Sequence, residues 1–205
     1  MYYGPKIIIA TGINIHGFRD KEQMGIVLNL PLAFVNFLGN IFATWFIDHR
    51  GRRYSMLRTL PGIFISLSVV SICMYLSNFN EGYWHVFGNY LGIASLLFYT
   101  GFFSIGFSST VWSVNTEIYP LHLISTATAL STTTNWFSNF IVSSMFLSIL
   151  STNIGKIVAF AILAVLAFTA YLFVYFYVPE TNNKPILENV QNIIERRRSD
   201  LSGGH

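Results

Sequence analysis

Long apolar runs alternate with short polar turns along most of this chain, and the run lengths predict its elements. Residues 24–47 form an uncharged run carrying Asn29, Asn36 and Asn40, long enough for a helix that needs about 20 residues to cross the hydrocarbon core. The turn DHRGRRYSMLR follows, then an apolar run over 59–76 closed by SNFNEG. The next region, 83–115, exceeds a single span, so its ends extend past the lipid or the helix tilts. Glu117 and Pro120 stop it. A last apolar run covers 156–178, and Pro179 begins the exit into a polar tail with one short amphipathic helix and disorder beyond it.

The stretch GFSSTVWSVNTEIYPLHLISTATALSTTTNWFSN departs from this pattern. It places an acid, a tryptophan, amides and a row of hydroxyls where the neighbouring segments are apolar. Polar groups in such a setting either hold helices together or meet a polar ligand. Within it, residues 125–150 predict a span that hydropathy alone scores weakly, because its first half reads STATALSTTTNW. Thr132, Asn135, Asn139 and Ser143 recur at spacings of three, four and four, so one helix face carries a polar stripe.

Composition agrees with a polytopic membrane protein. Charged residues make up 10% of the 205, against about 25% in soluble domains. The net charge of +3 suggests nucleic acid only until the basic residues are placed. They lie in short turns, which is how topology is written, and no nucleic-acid partner is needed to explain them. Alternating the turns puts Arg50, Arg52, Arg53, Arg58, Lys184, Arg196, Arg197 and Arg198 on one side and Arg19, Lys21 and Lys156 on the other. The positive-inside rule then makes the first side, with the C-terminus, cytoplasmic. Cys73 is the single cysteine and reads as a packing residue.

The apolar stretch 1–13 is too short to span and reads as the back end of a helix whose front is missing. The chain is thus five spans plus the end of a sixth, a natural half of a carrier built from two repeats. No metal-spaced His or acid cluster and no activated nucleophile pair appears, so neither an enzyme nor a cofactor is expected.

Five motifs in order carry a resemblance over nearly the whole chain. MYYGPKI, DHRGRR, VNTEIYPL, the NW and NF pairs at Asn135 and Asn139, and VPET are similar to the C-terminal half of sugar porters of the major facilitator superfamily. WSVNTEIYPL most resembles the proton myo-inositol cotransporter branch. The resemblance implies an all-α membrane protein, the C-terminal six-helix bundle of a major facilitator fold with its first helix truncated. Residues 1–13 would end helix 7, residues 14–178 would hold helices 8 to 12 with short loops, and 179–205 would be a cytoplasmic tail. It implies alternating access between this bundle and a missing N-terminal six-helix half, a small polyol or sugar as solute, and the lipid bilayer as surroundings, with proton coupling and facilitated diffusion both open.

Carried over by position, the resemblance makes Asn36 on helix 8, Trp112 on helix 10, and Asn135 with Asn139 on helix 11 the solute-facing residues. The chemistry suits this, because a polyol offers only hydroxyls and needs neutral groups that both donate and accept, plus an aromatic face for its C–H side. Asn29 and Asn40 read instead as interhelical glue, and Trp45, Trp84 and Trp136 as packing or interface residues. The resemblance also implies a cytoplasmic gate of Asp48, Arg52, Arg53, Glu117 and Glu180, whose ion pairs form only while that side is closed. The alternative duty of these arginines is to set topology.

Two departures from the family pattern bear on these roles. The proline of the acidic motif is followed by HLIS where sugar porters carry arginines, leaving Glu117 fewer cationic partners. The helix-10 break, glycine-rich with a proline before the tryptophan in the family, reads GFSSTVW here, which bears on how easily the helix bends. A sensor that binds a polyol without moving it is the alternative to a carrier.

Overall fold

A computed structural model describes residues 21–79, 83–108, 110–149 and 152–178. The expected helix-7 remnant and the C-terminal tail, Glu180 included, lie outside the described residues. Among those described, the regular structure is helical: α1 (Lys21–Arg50), α2 (Arg52–Phe79), α3 (Tyr83–Phe103), a π-helical turn (Ser104–Ser108), α4 (Thr110–Glu117), α5 (Ile124–Ile149) and α6 (Asn153–Tyr177).

α2 is the helix the others pack on. Its buried residues Met56, Leu60, Ile63, Leu67, Val70 and Met74 recur at spacings of four and three, one continuous seam. Leu96 of α3, Val114 of α4 and Phe160, Ala164, Ala167 and Val174 of α6 join it in a single core. Polar contacts add to the packing, as when Ser71 Oγ donates to the Ile157 carbonyl of α6 at 3.0 Å. In lipid such close fits and interhelical hydrogen bonds, rather than release of water, hold helices together.

The turn between α1 and α2 is far shorter than the basic stretch suggests. It narrows to Gly51, whose φ of 93° lies in the left-handed region that glycine enters without strain. Gly51 N donates to the Ile47 carbonyl and Gly51 O accepts from Ser55 N, so the residue ends one helix and starts the next. The segment RRYSMLR therefore forms the first turns of α2 instead of a loop. A helix does not stop where hydrocarbon stops, and Arg52 and Arg53 find partners on α4 and α6.

Among the described residues, four segments are long and apolar enough to cross a membrane: Asn29–Ile47, Arg52–Leu76, Phe87–Glu117 and Ile154–Tyr177. α5 has the length, with 26 residues, but its hydroxyl-rich first half keeps it out of that group, in line with its weak hydropathy. Its contacts are mainly with α4 and α6, and they are sparse. Several of its hydroxyls satisfy themselves, Thr133, Thr134 and Ser144 each donating to the carbonyl four residues back, while the buried Thr128 hydroxyl has no partner. That back-bonding lets a polar helix stand in apolar surroundings without neighbours for every hydroxyl.

Candidate functional site

The site is built around the π-helical turn between α3 and α4. The sequence reads as one segment over 83–115, but the structure divides it into α3, the π-helical turn and α4. A π turn inserts extra residues into a helix and re-aims the turns downstream of it, and such turns recur at functional positions. It forms here without proline, held from two sides by small residues. A Cβ on Gly39 of α1 would meet Ser104 Cβ at 2.6 Å, and one on Gly106 would fall inside the Thr59 side chain of α2. Backbones this close leave room only for glycine.

Ser104, fully buried, is the hub of a hydrogen-bond chain. Asn40 Nδ2 donates to Asn36 Oδ1 at 3.0 Å, Asn36 Nδ2 donates to Ser104 Oγ at 2.8 Å, and Ser104 Oγ donates to the Thr100 carbonyl at 2.7 Å. Asn40, expected as glue, thus acts through Asn36. Asn29 Oδ1 is buried without a hydrogen-bond partner.

Beyond the break lies a cavity of about 350 Å³. One wall comes from helix 10: Phe103, Phe107, Ser108, Val111, Trp112 and Asn115. The other comes from α5: Ser131, Asn135 and Asn139. Three of the four sequence-selected residues, Trp112, Asn135 and Asn139, therefore meet in one space, and no lining side chain is charged. Trp112, which lines the cavity, is 43% exposed. Asn139 Nδ2 donates to the Asn135 carbonyl at 3.0 Å, which orients one amide along the helix and leaves its remaining polar capacity to the cavity.

Asn36 does not line this cavity. Its amide hydrogen bonds to Ser104 and Asn40 instead. Conversely, Asn115 and Ser131 line it without having been singled out. Helical spacing was the signal that could have found them: Asn115 follows Trp112 by three residues, and Ser131, Asn135 and Asn139 are each four apart.

The charged end divides its partners. Arg52 Nη2 lies 3.1 Å from Glu117 Oε1, both side chains about a fifth to a quarter exposed. Arg53 Nη2 donates to the Tyr175 carbonyl at 2.7 Å, satisfying an acceptor in the last turn of α6 where a cation also suits the helix dipole. The adjacent arginines thus tie α2 to α4 and to α6 respectively. The Asp48 side chain lies outside the described residues, as does Glu180.

Comparison with known proteins gives a family. The profile described as Sugar (and other) transporter matches residues 1–193. Membrane transporter D1 of Leishmania donovani is 32% identical over 197 residues, covering 96% of this chain and 34% of that protein. Proton myo-inositol cotransporter hmit-1.1 of Caenorhabditis elegans is 45% identical over 86 residues, 42% of this chain and 14% of that one. Among solved structures, the inward-open xylose transporter XylE from E. coli superposes with a TM-score of 0.68 at 20% identity, covering 94% of this chain and 41% of that chain. The match in fold extends to an all-helical membrane bundle, and the chain spans well under two thirds of each relative's length.

Proposed function

The chain belongs to the sugar transporter family, an integral-membrane family of carriers rather than enzymes, and on that premise we propose that it is one bundle of an alternating-access carrier for a ring polyol or hexose, myo-inositol favoured. The observation that carries this is the uncharged cavity lined by Trp112, Asn135 and Asn139 together. Its volume falls at the lower end of the roughly 300–1,000 Å³ usual for small-molecule sites. Neutral amides both donate to and accept from hydroxyls, and an indole covers the C–H face of a ring. A charged solute would find no counter-charge among these lining residues.

The preference for myo-inositol is supported by the local identity of 45% to a protein named as a proton myo-inositol cotransporter. Proton coupling rests on the same support. Asn36 acts on the site in a second role: its hydrogen bonds to Ser104 and Asn40 hold the π-helical turn behind the cavity and leave one N–H and one acceptor lone pair of the amide free for a solute hydroxyl. Arg52 with Glu117, and Arg53, form the gate at the end that the positive-inside rule makes cytoplasmic, together with the C-terminus, and the family motifs assign Asp48 and Glu180 to the same gate. An opposing six-helix bundle completes the cavity, as the greater length of the relatives supports.

The test is uptake of radiolabelled myo-inositol by the full-length gene product, competed by unlabelled inositol and by glucose. Saturable, competable uptake is expected. Absence of saturable uptake of either solute would overturn the substrate assignment.

A further inference from the structure

We infer that Asn115 is a specificity-determining solute contact, its carboxamide reading one hydroxyl of the ring from the wall opposite α5. The inference rests on the polyol reading of the same cavity and deepens it.

Asn115 stands on α4, three residues after Trp112 and four after Val111. All three line the cavity, as their spacing on one helix face requires. Asn115 differs from Asn36, Asn40 and Asn139 in what its nitrogen does, and from the exposed Asn135 in that its nitrogen is buried. Asn36, Asn40 and Asn139 each place Nδ2 in a hydrogen bond. Asn115 Nδ2 is buried and has no hydrogen-bond partner. A buried amide donor without an acceptor is uncommon in a finished structure and points to a group that arrives later. Side-chain amides turn easily about their last torsion, which is broad and roughly two-fold, so the nitrogen reaches the cavity by rotation alone.

The surroundings make that hydrogen bond selective. Phe103, Phe107 and Val111 share the wall with Asn115. Against such an apolar wall a satisfied hydrogen bond is strong, and a missing one is costly. A site of this kind rejects an analogue lacking the matching hydroxyl far more sharply than an apolar pocket rejects an extra one. Ser131, Asn135 and Asn139 meet the ring from α5, and Trp112 covers its face. Asn115 then adds a contact from a second direction, which is what discrimination between epimers needs. The position of that contact is set by the helix break, because Gly106 and Ser104 lock the turn that precedes α4.

The experiment uses the full-length protein in cells without polyol uptake of their own, with myo-inositol, its epimers and the singly deoxygenated inositols as competitors. Asn115→Leu is expected to raise the half-saturation concentration about tenfold or more while the maximal rate per surface molecule changes less than about twofold. One deoxy analogue, about tenfold weaker than myo-inositol on the unsubstituted protein, should compete as well as myo-inositol on the variant. Asn115→Ala removes the amide without adding bulk and should behave like the leucine variant. It also keeps the test decisive if Asn115→Leu fails to reach the surface. Unchanged half-saturation and unchanged analogue ranking in these variants would overturn the role of Asn115 while leaving the polyol assignment standing. No saturable polyol uptake by the unsubstituted protein would overturn both.

Discussion

The Asn36 amide donates to the Ser104 hydroxyl across 2.8 Å, joining α1 to the first residue of the π-helical turn. Ser104 passes the contact on to the Thr100 carbonyl of its own helix. Two residues 68 apart in sequence thereby tie α1 to the π-helical turn that precedes α4, the helix that carries Trp112 and Asn115.

Loss of this tie should weaken the fold modestly and non-additively. Asn36→Ala and Ser104→Ala are each expected to destabilise the purified full-length protein by about 0.6–1.7 kcal/mol, the range for interhelical hydrogen bonds in lipid. The double variant should lose little more than the larger single one. Thermal unfolding in detergent measures this, and fully additive losses would show that the two side chains act separately.

Gly106→Ala should be harder to accommodate. Its new methyl overlaps Thr59, so α2 and the π turn must part, at a cost of about 1–3 kcal/mol for overpacking. Thr59→Ala should restore only part of the loss, because the Thr59 Cβ itself already intrudes on the added atom. Complete rescue in the unfolding assay would place the clash on the hydroxyl and methyl alone.

The Arg52–Glu117 pair should matter more to transport than to stability. Both groups are partly open to solvent, so the pair contributes only about 0.2–1 kcal/mol. In the proposed gate it would favour one state of the cycle. Arg52→Glu should therefore slow uptake several-fold, and Arg52→Glu with Glu117→Arg should recover part of it. Equal rates in the single and swapped proteins would count against a gating role.

Within the cavity, Trp112→Ala should raise the half-saturation concentration most, by about tenfold or more, since it removes the aromatic face together with its buried area. Asn135→Ala and Asn139→Ala should cost about two- to tenfold each, the worth of a neutral hydrogen bond. Asn139 should have the smaller effect, because one of its N–H groups already serves the Asn135 carbonyl. Concentration-dependent uptake resolves the order.

Much of this molecule was legible in the residues. The helices follow from apolar runs of spanning length, and the weak hydropathy of α5 follows from STATALSTTTNW. The meeting of Arg52 with Glu117 and the family itself came from motifs that can be read in order. The roles of Asn36 and Asn115 were not legible in this way. An asparagine in an apolar run has the same appearance whether it bonds a neighbouring helix, its own helix or a solute.

By itself the sequence determined the number of apolar segments, their order, the charged end, and the polar stripe on α5, because each depends on composition and period along one helix. Tertiary structure decided that RRYSMLR is helix rather than loop, that helix 10 breaks through a π turn at Ser104, and that Asn36 turns to Ser104 while Asn115 lines the cavity. The first depends on the Gly51 turn and on the partners of Arg52 and Arg53, and the others on how closely α1 and α2 approach the π turn at Gly39 and Gly106. Such a distance is set jointly by side chains far apart in the chain, and no single stretch contains it.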